Sequence, residues 1–156
     1  MSKTGYTIRT EGAVALAAAT AKSVLGVKGN AAFGVDLQGL YVDFDGVTAS
    51  ATPVLCELCY CTWATNSPGT NSTSVSANYI YGKGTASGMT AAKTWTTEPT
   101  ALTAIDSWSL DPNKGLYRYD WPYGQTPDSA VGEGYVLRLT AAAIVNARAG
   151  FRVERA

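Results

Sequence analysis

Hydrophobic and polar residues alternate along much of this chain with a period of two, the pattern of strands that bury one face and wet the other. The clearest case lies at residues 145–154. Val145, Ala147, Ala149, Phe151 and Val153 alternate there with Asn146, Arg148, Gly150, Arg152 and Glu154. Phe151 and Val153 are expected in the core, with Arg148 and Arg152 on the opposite face. The apolar run at 134–140 just before it reads as its hairpin partner. Such strands leave backbone groups unpaired unless neighbours supply the bonds, so the rest of the chain is expected to complete a sheet around them.

Earlier segments repeat the pattern. Residues 5–10 alternate and read as a short strand. Residues 13–20 are alanine-rich and ambiguous between helix and strand, with Val14, Leu16 and Ala18 favouring strand. Residues 23–28 form an apolar run that stops at Gly29-Asn30, and 34–44 alternate up to Asp45-Gly46, a tight-turn signal. Residues 54–63 are apolar on both faces apart from Glu57, so this strand is expected between two layers or against another subunit.

From 64 to 94 the chain is rich in Thr, Ser, Asn and Gly, with one strand expected at 75–81. Residues 94–97 and 101–110 are Thr-rich and β-prone, and 116–121 alternate again. Roughly seven to nine such runs separated by turn residues, without a confident amphipathic helix, predict an all-β fold. The expected architecture is a single antiparallel β-sandwich or jelly roll over residues 1–156.

Composition sharpens this reading. Charged residues make up only 15% of the chain, twelve basic residues balance twelve acidic ones, and no block of like charge occurs. Attraction to nucleic acid or to an anionic membrane therefore has no visible source. Zero net charge gives an isolated subunit little protection against association, which favours life in an assembly. No run approaches the ~18 apolar residues of a spanning helix, and the apolar stretch at 13–21 follows Arg9 and Glu11 and implies no cleavage.

Histidine is absent, which removes Ser-His-Asp and Cys-His catalysis and most zinc sites. Cys56 and Cys59 have knuckle spacing, but Cys61 is the only other cysteine. On a strand Cys56 would face away from Cys59 and Cys61, whose β-carbons would lie ~7 Å apart, too far to bridge without strain. Small reduced, buried hydrophobes are the expected role, as suits a reducing cytosol. Asp36, Asp43, Asp45 and Glu57 form no calcium or glycosidase pattern, and a turn-forming role is expected for Asp43 and Asp45.

Gly82-Lys83-Gly84 and Gly132-Glu133-Gly134 lack a phosphate-binding signature and read as turns. Trp108, Tyr117, Tyr119, Trp121 and Tyr123 combine large apolar area with polar handles and suit either a binding surface or the sandwich core. Arg148 and Arg152 belong either to a solvated face or to contacts with a neighbouring subunit. These seven residues are the candidate interface. No catalytic, cofactor-binding or metal-binding residue is identified.

Several segments, taken in order, carry a resemblance. They are 12–18, 21–27, Val42-Asp43-Phe44-Asp45-Gly46-Val47, Pro53-Val54-Leu55-Cys56-Glu57-Leu58, Trp121-Pro122-Tyr123-Gly124, 135–142 and 145–154. Together they resemble the decoration, or cement, proteins on the outer surface of tailed-bacteriophage capsids. The resemblance implies a β-sandwich or jelly-roll subunit, homotrimeric, that is assembled in the bacterial cytoplasm onto the virion exterior. It would bind where major capsid protein subunits meet and reinforce the shell against internal DNA pressure, without cofactors, nucleic-acid or membrane partners, or catalytic residues. About five residues precede the first expected strand, so no separate attachment arm is expected. A carbohydrate-binding module, which would need a flat exposed row of Trp and Tyr, is the competing reading. An enzyme with a pair of acids in a cleft comes third.

Overall fold

The alternating stretches form strands in a computed structural model that describes residues 4–45, 52–82 and 84–156. In chain order these are β1 (Gly5–Arg9), β2 (Val14–Leu16), β3 (Ala21–Lys28), β4 (Val35–Asp45), β5 (Val54–Cys61) and β6 (Thr73–Val75). They continue with β7 (Ala77–Tyr81), β8 (Thr90–Lys93), β9 (Leu102–Leu110), β10 (Tyr117–Asp120), β11 (Gly134–Thr140) and β12 (Val145–Arg155). Two six-stranded sheets result. The first runs β10-β4-β12-β1-β7 with β2 alongside β12, and the second runs β6-β8-β3-β11-β5-β9.

The sandwich is a jelly roll. Within the first sheet lies the order β1-β12-β4-β10 and within the second β3-β11-β5-β9. Taken as one set of eight in chain order, these strands read 1-8-3-6 and 2-7-4-5, the paired Greek keys of that architecture. The polar excursion between β5 and β9 supplies the remaining pieces on one side. There β7 pairs with β1, β8 with β3, and β6 with β8. On the opposite side both sheets end, among the described residues, at β9 and β10.

The core lies between the sheets. Tyr6, Ile8, Phe151 and Leu37 from the first sheet meet Leu58 and Leu137 from the second, all without solvent exposure. Burying each such aliphatic or aromatic side chain contributes about 1.5–3 kcal/mol. Phe151 lies between Ile8 on β1 and Leu40 on β4, as its parity on the strand predicts.

A second apolar cluster covers the outer face of the second sheet, where Cys59, Cys61, Ala92 and Val136 lie beneath Trp63 and Trp95. The two indoles stack with centroids 6.0 Å apart at 21°, and Trp95 Nε1 donates to the Asn66 carbonyl at 2.8 Å. Gly26 makes room for them: a β-carbon there would lie 2.7 Å from Trp95 and 2.9 Å from Trp63. This roof explains why β5 is apolar on both faces. Glu57, its exception, accepts from Arg138 Nε at 2.9 Å. All three cysteines are free and buried, with Cys56 in the main core and Cys59 and Cys61 under the roof. Burial pushes the Cys56 thiol up to about 12 and Cys61 to about 11, and it also raises Cys59.

Five expectations need correction. β11 and β12 are not a hairpin: β11 pairs with β3 and β5, whereas β12 pairs with β1, β2 and β4. The reason is that β11 is apolar on both faces and belongs mid-sheet under the indole roof, while β12 needs one wet face. The expected strand at 75–81 is two strands in different sheets, because the chain turns the corner of the sandwich at Ser76, whose N–H donates to Glu11. Residues 94–97 form no strand: Thr94 takes the left-handed region at φ 52°, and Trp95 is buried in the roof. In 13–20 only Val14–Leu16 is strand, paired with Ala147 to Val145. Asp43 lies within β4, paired with Arg148 on the long β12, rather than in a turn, and Asp45 is the last residue of that strand. Gly46, the other half of that expected turn, lies outside the described residues, as does Lys83.

Candidate functional site

The side of the sandwich where β9 and β10 end the two sheets gathers most of the aromatic candidates. Trp108 on β9 stacks on Tyr117 on β10, centroids 5.3 Å apart at 27°. Tyr119 and Trp121 meet edge to face at 5.1 Å and 83°. The register places Tyr117 opposite Val42 and Tyr119 opposite Leu40, on the inward face of the first sheet. Trp108, Tyr117 and Trp121 are half-buried against the core, whereas Tyr119 is 44% exposed and Tyr123, in the following loop, 89% exposed. The group thus serves as core and surface at once, since the inner face of an edge strand extends past the opposing sheet.

β9 is nine residues long and exposed at most positions, with Asp106 its only charge. Its pairing with β5 shifts register between Leu58 and Cys59, leaving Ile105 as an unmatched, outward residue. Ile105 at 48% and Leu116 at 59% exposure add apolar area to this edge.

The arginine candidates lie elsewhere, on the outer face of the first sheet. Arg152 donates to Asp120 across β4 at 3.1 Å. Arg148, opposite Asp43, lines a cleft of about 650 Å³ together with Arg9, Glu11 and Tyr41. Arg118 lies over the Tyr41 ring, 5.6 Å from its centroid. The seven candidates therefore divide between two faces. Arg9, Tyr41 and Asp43 were not legible as a group, because strand parity places each of them outward but says nothing of the order β4-β12-β1 that makes them neighbours.

Among the described residues, pairs of acids lie in two clefts. Glu11 and Asp43 line the one just described, and Asp36 and Glu154 line another beneath Tyr123. Three of these four serve local structure: Glu11 accepts from the Ser76 N–H, Glu154 from the Tyr81 hydroxyl, and Asp36 from Thr126 and Gln38. Burial raises the Asp36 carboxyl above its ordinary range, against those hydrogen bonds. Among the described residues no group of three or more His, Cys, Asp or Glu is placed to hold a metal, and no helix is long and apolar enough to cross a membrane. Of the glycine fragments, Gly82, Gly84 and Gly132 take positive φ, as turns require, whereas Gly134 opens β11. Compared with protein-family models, with curated proteins and with solved structures, the chain matches none.

Proposed function

We propose that this chain is a structural virion subunit, a jelly-roll decoration protein that binds the outer surface of a tailed phage's major capsid protein as a homotrimer. The observation that carries the reading is the bare side of the sandwich. Among the described residues both sheets end there in unpaired edges, and Ile105, Leu116 and Tyr119 expose apolar area around them. A nine-residue edge with a single charge is a template for further pairing, which a free monomer would need to blunt and an assembled subunit can use. Stacked aromatic rings and a low surface charge suit the centre of a protein interface. Sugar-stacking platforms need coplanar rings facing solvent. The rings here pack on one another at 27° and 83°, which favours assembly over sugar binding at this edge.

Light scattering coupled to size-exclusion chromatography tests the self-association, and co-sedimentation with expanded capsids tests the partner. A trimer that sediments with capsids is expected. An Ile105→Lys/Leu116→Lys double variant should remain folded by circular dichroism yet become monomeric. A wild-type monomer at micromolar concentration that stays in the supernatant would refute the proposal.

A further inference from the structure

We propose that the cleft on the outer face of the first sheet is a binding site for an acidic saccharide, a sugar carrying a carboxylate beside free hydroxyls, as in a uronic acid. The inference is independent of how the β9–β10 side is used. Its geometry begins with β12, flanked by β1 and β4. Gly150 stands opposite both Arg9 and Tyr41, and Arg148, two residues earlier, stands opposite Asp43. Because Gly150 has no side chain, the Tyr41 ring can lie across β12. A β-carbon at 150 would be 2.1 Å from Tyr41 Cε1. Three adjacent strands thus direct two guanidinium groups, a phenol and a carboxylate into one hollow of about 650 Å³, room for one or two sugar rings.

The donor and acceptor inventory selects the ligand. The Arg9 side chain has no hydrogen bond or ion pair among the described residues, so its fork is open to a carboxylate. Asp43 Oδ1 is shielded from solvent and has no hydrogen-bond partner among the described residues. The Asp43 carboxylate as a whole lines the cleft, where it offers acceptor capacity to a hydroxyl donor. A simple anion would satisfy Arg9 but offer Asp43 and Glu11 only repulsion. A neutral sugar would satisfy Asp43 and leave Arg9 unmatched. An acidic peptide lacks the hydroxyls and would find few apolar contacts among these lining residues. A carboxylated sugar supplies both complements.

Titration of the isotope-labelled protein with D-glucuronate, followed by amide NMR, tests the site. Saturable shifts around Arg9, Tyr41 and Arg148 are expected, with binding about tenfold or more weaker for glucose and for acetate, roughly 1.4 kcal/mol for each missing complement. Arg9→Gln and Asp43→Asn should each weaken glucuronate binding by a similar factor while leaving the remaining spectrum in place. Gly150→Ala, which displaces the terminal atoms of Tyr41, should weaken binding with little loss of stability. Acetate shifts equal to those of glucuronate would reduce the cleft to a plain anion site and overturn the proposal. Equal binding of glucose, unaltered binding by Arg9→Gln, or no saturable shift with glucuronate would overturn it as well.

Discussion

Trp108 on β9 lies flat against Tyr117 on β10, 5.3 Å between ring centroids, and so joins the last strands of the two sheets across the open side of the sandwich. The pair closes the core where neither sheet has a further strand to do so. Trp108→Ala is expected to cost about 2 kcal/mol, below the value for a fully buried indole because the ring is only half-buried. Trp108→Phe should recover most of this, since it keeps the stack and removes an indole N–H that has no partner among the described residues. Chemical denaturation of both variants decides: equal losses would mean that the stack contributes nothing beyond volume.

Phe151 and Arg152 are sequence neighbours with opposite fates. Phe151 is fully buried between Ile8 and Leu40, so Phe151→Ala should cost ~3–5 kcal/mol. Arg152 is 39% exposed in its pair with Asp120, and Arg152→Ala should change stability by less than ~1 kcal/mol. Comparable melting temperatures for the two variants would contradict the placement of β12.

Asp36 predicts a pH signature. Burial is the largest influence on its carboxyl, the nearby Glu154 and Asp128 charges add to it, and the hydrogen bonds from Thr126 and Gln38 oppose it, with a net upward shift. A raised folded-state pKa means that the protonated form is favoured by folding. Its stabilisation is complete below the unfolded value of about 3.9 and disappears as pH rises through the higher folded value. Asp36→Asn should therefore raise the melting temperature at pH 7 and leave it nearly unchanged at pH 3. A lower melting temperature at pH 7 would count against this account.

The three thiols should be silent in the native state. Burial keeps Cys56 and Cys61 protonated to about 12 and about 11, and only the thiolate attacks disulfide reagents. Reaction with a chromogenic disulfide at pH 8 should release no thiol equivalents before unfolding and three after it, matching the cysteine count. A native-state burst would show that the indole roof over Cys59 and Cys61 opens.

That roof makes its own prediction. Gly26→Ala would press a methyl group against both indoles, at 2.7 and 2.9 Å, costing ~1–3 kcal/mol by overpacking. Tryptophan fluorescence should shift as Trp63 and Trp95 separate. Unchanged emission and stability would mean that the cluster is looser than its stacking implies.

Much of the fold was legible in the residue pattern, because side-chain parity along a strand is a local property. The burial of Phe151 and Val153 and the opposite orientations of Cys56 and Cys59 follow from strand parity, and the two-sided burial of β5 from its unbroken apolar run. Strand limits failed where another element intervened. Ser76 turns a corner under Glu11, and Trp95 is drawn into a roof although its neighbours are β-prone. The aromatic candidates were visible as a group because three of them lie on two strands joined by a short loop and the other two follow directly after β10.

What the sequence determined by itself is the all-β class and the face each strand residue takes, since both depend on a two-residue period and on turn chemistry. Only the tertiary structure decided which strands are neighbours. Adjacency depends on pairings between residues more than a hundred positions apart, such as Arg9 with Gly150 and Tyr41 with Gly150, and no local pattern encodes them. For that reason β11 and β12 could be read as strands but not as members of opposite sheets. The same adjacency built the Arg9, Tyr41, Asp43 and Arg148 cleft from residues that show no pattern in the linear chain.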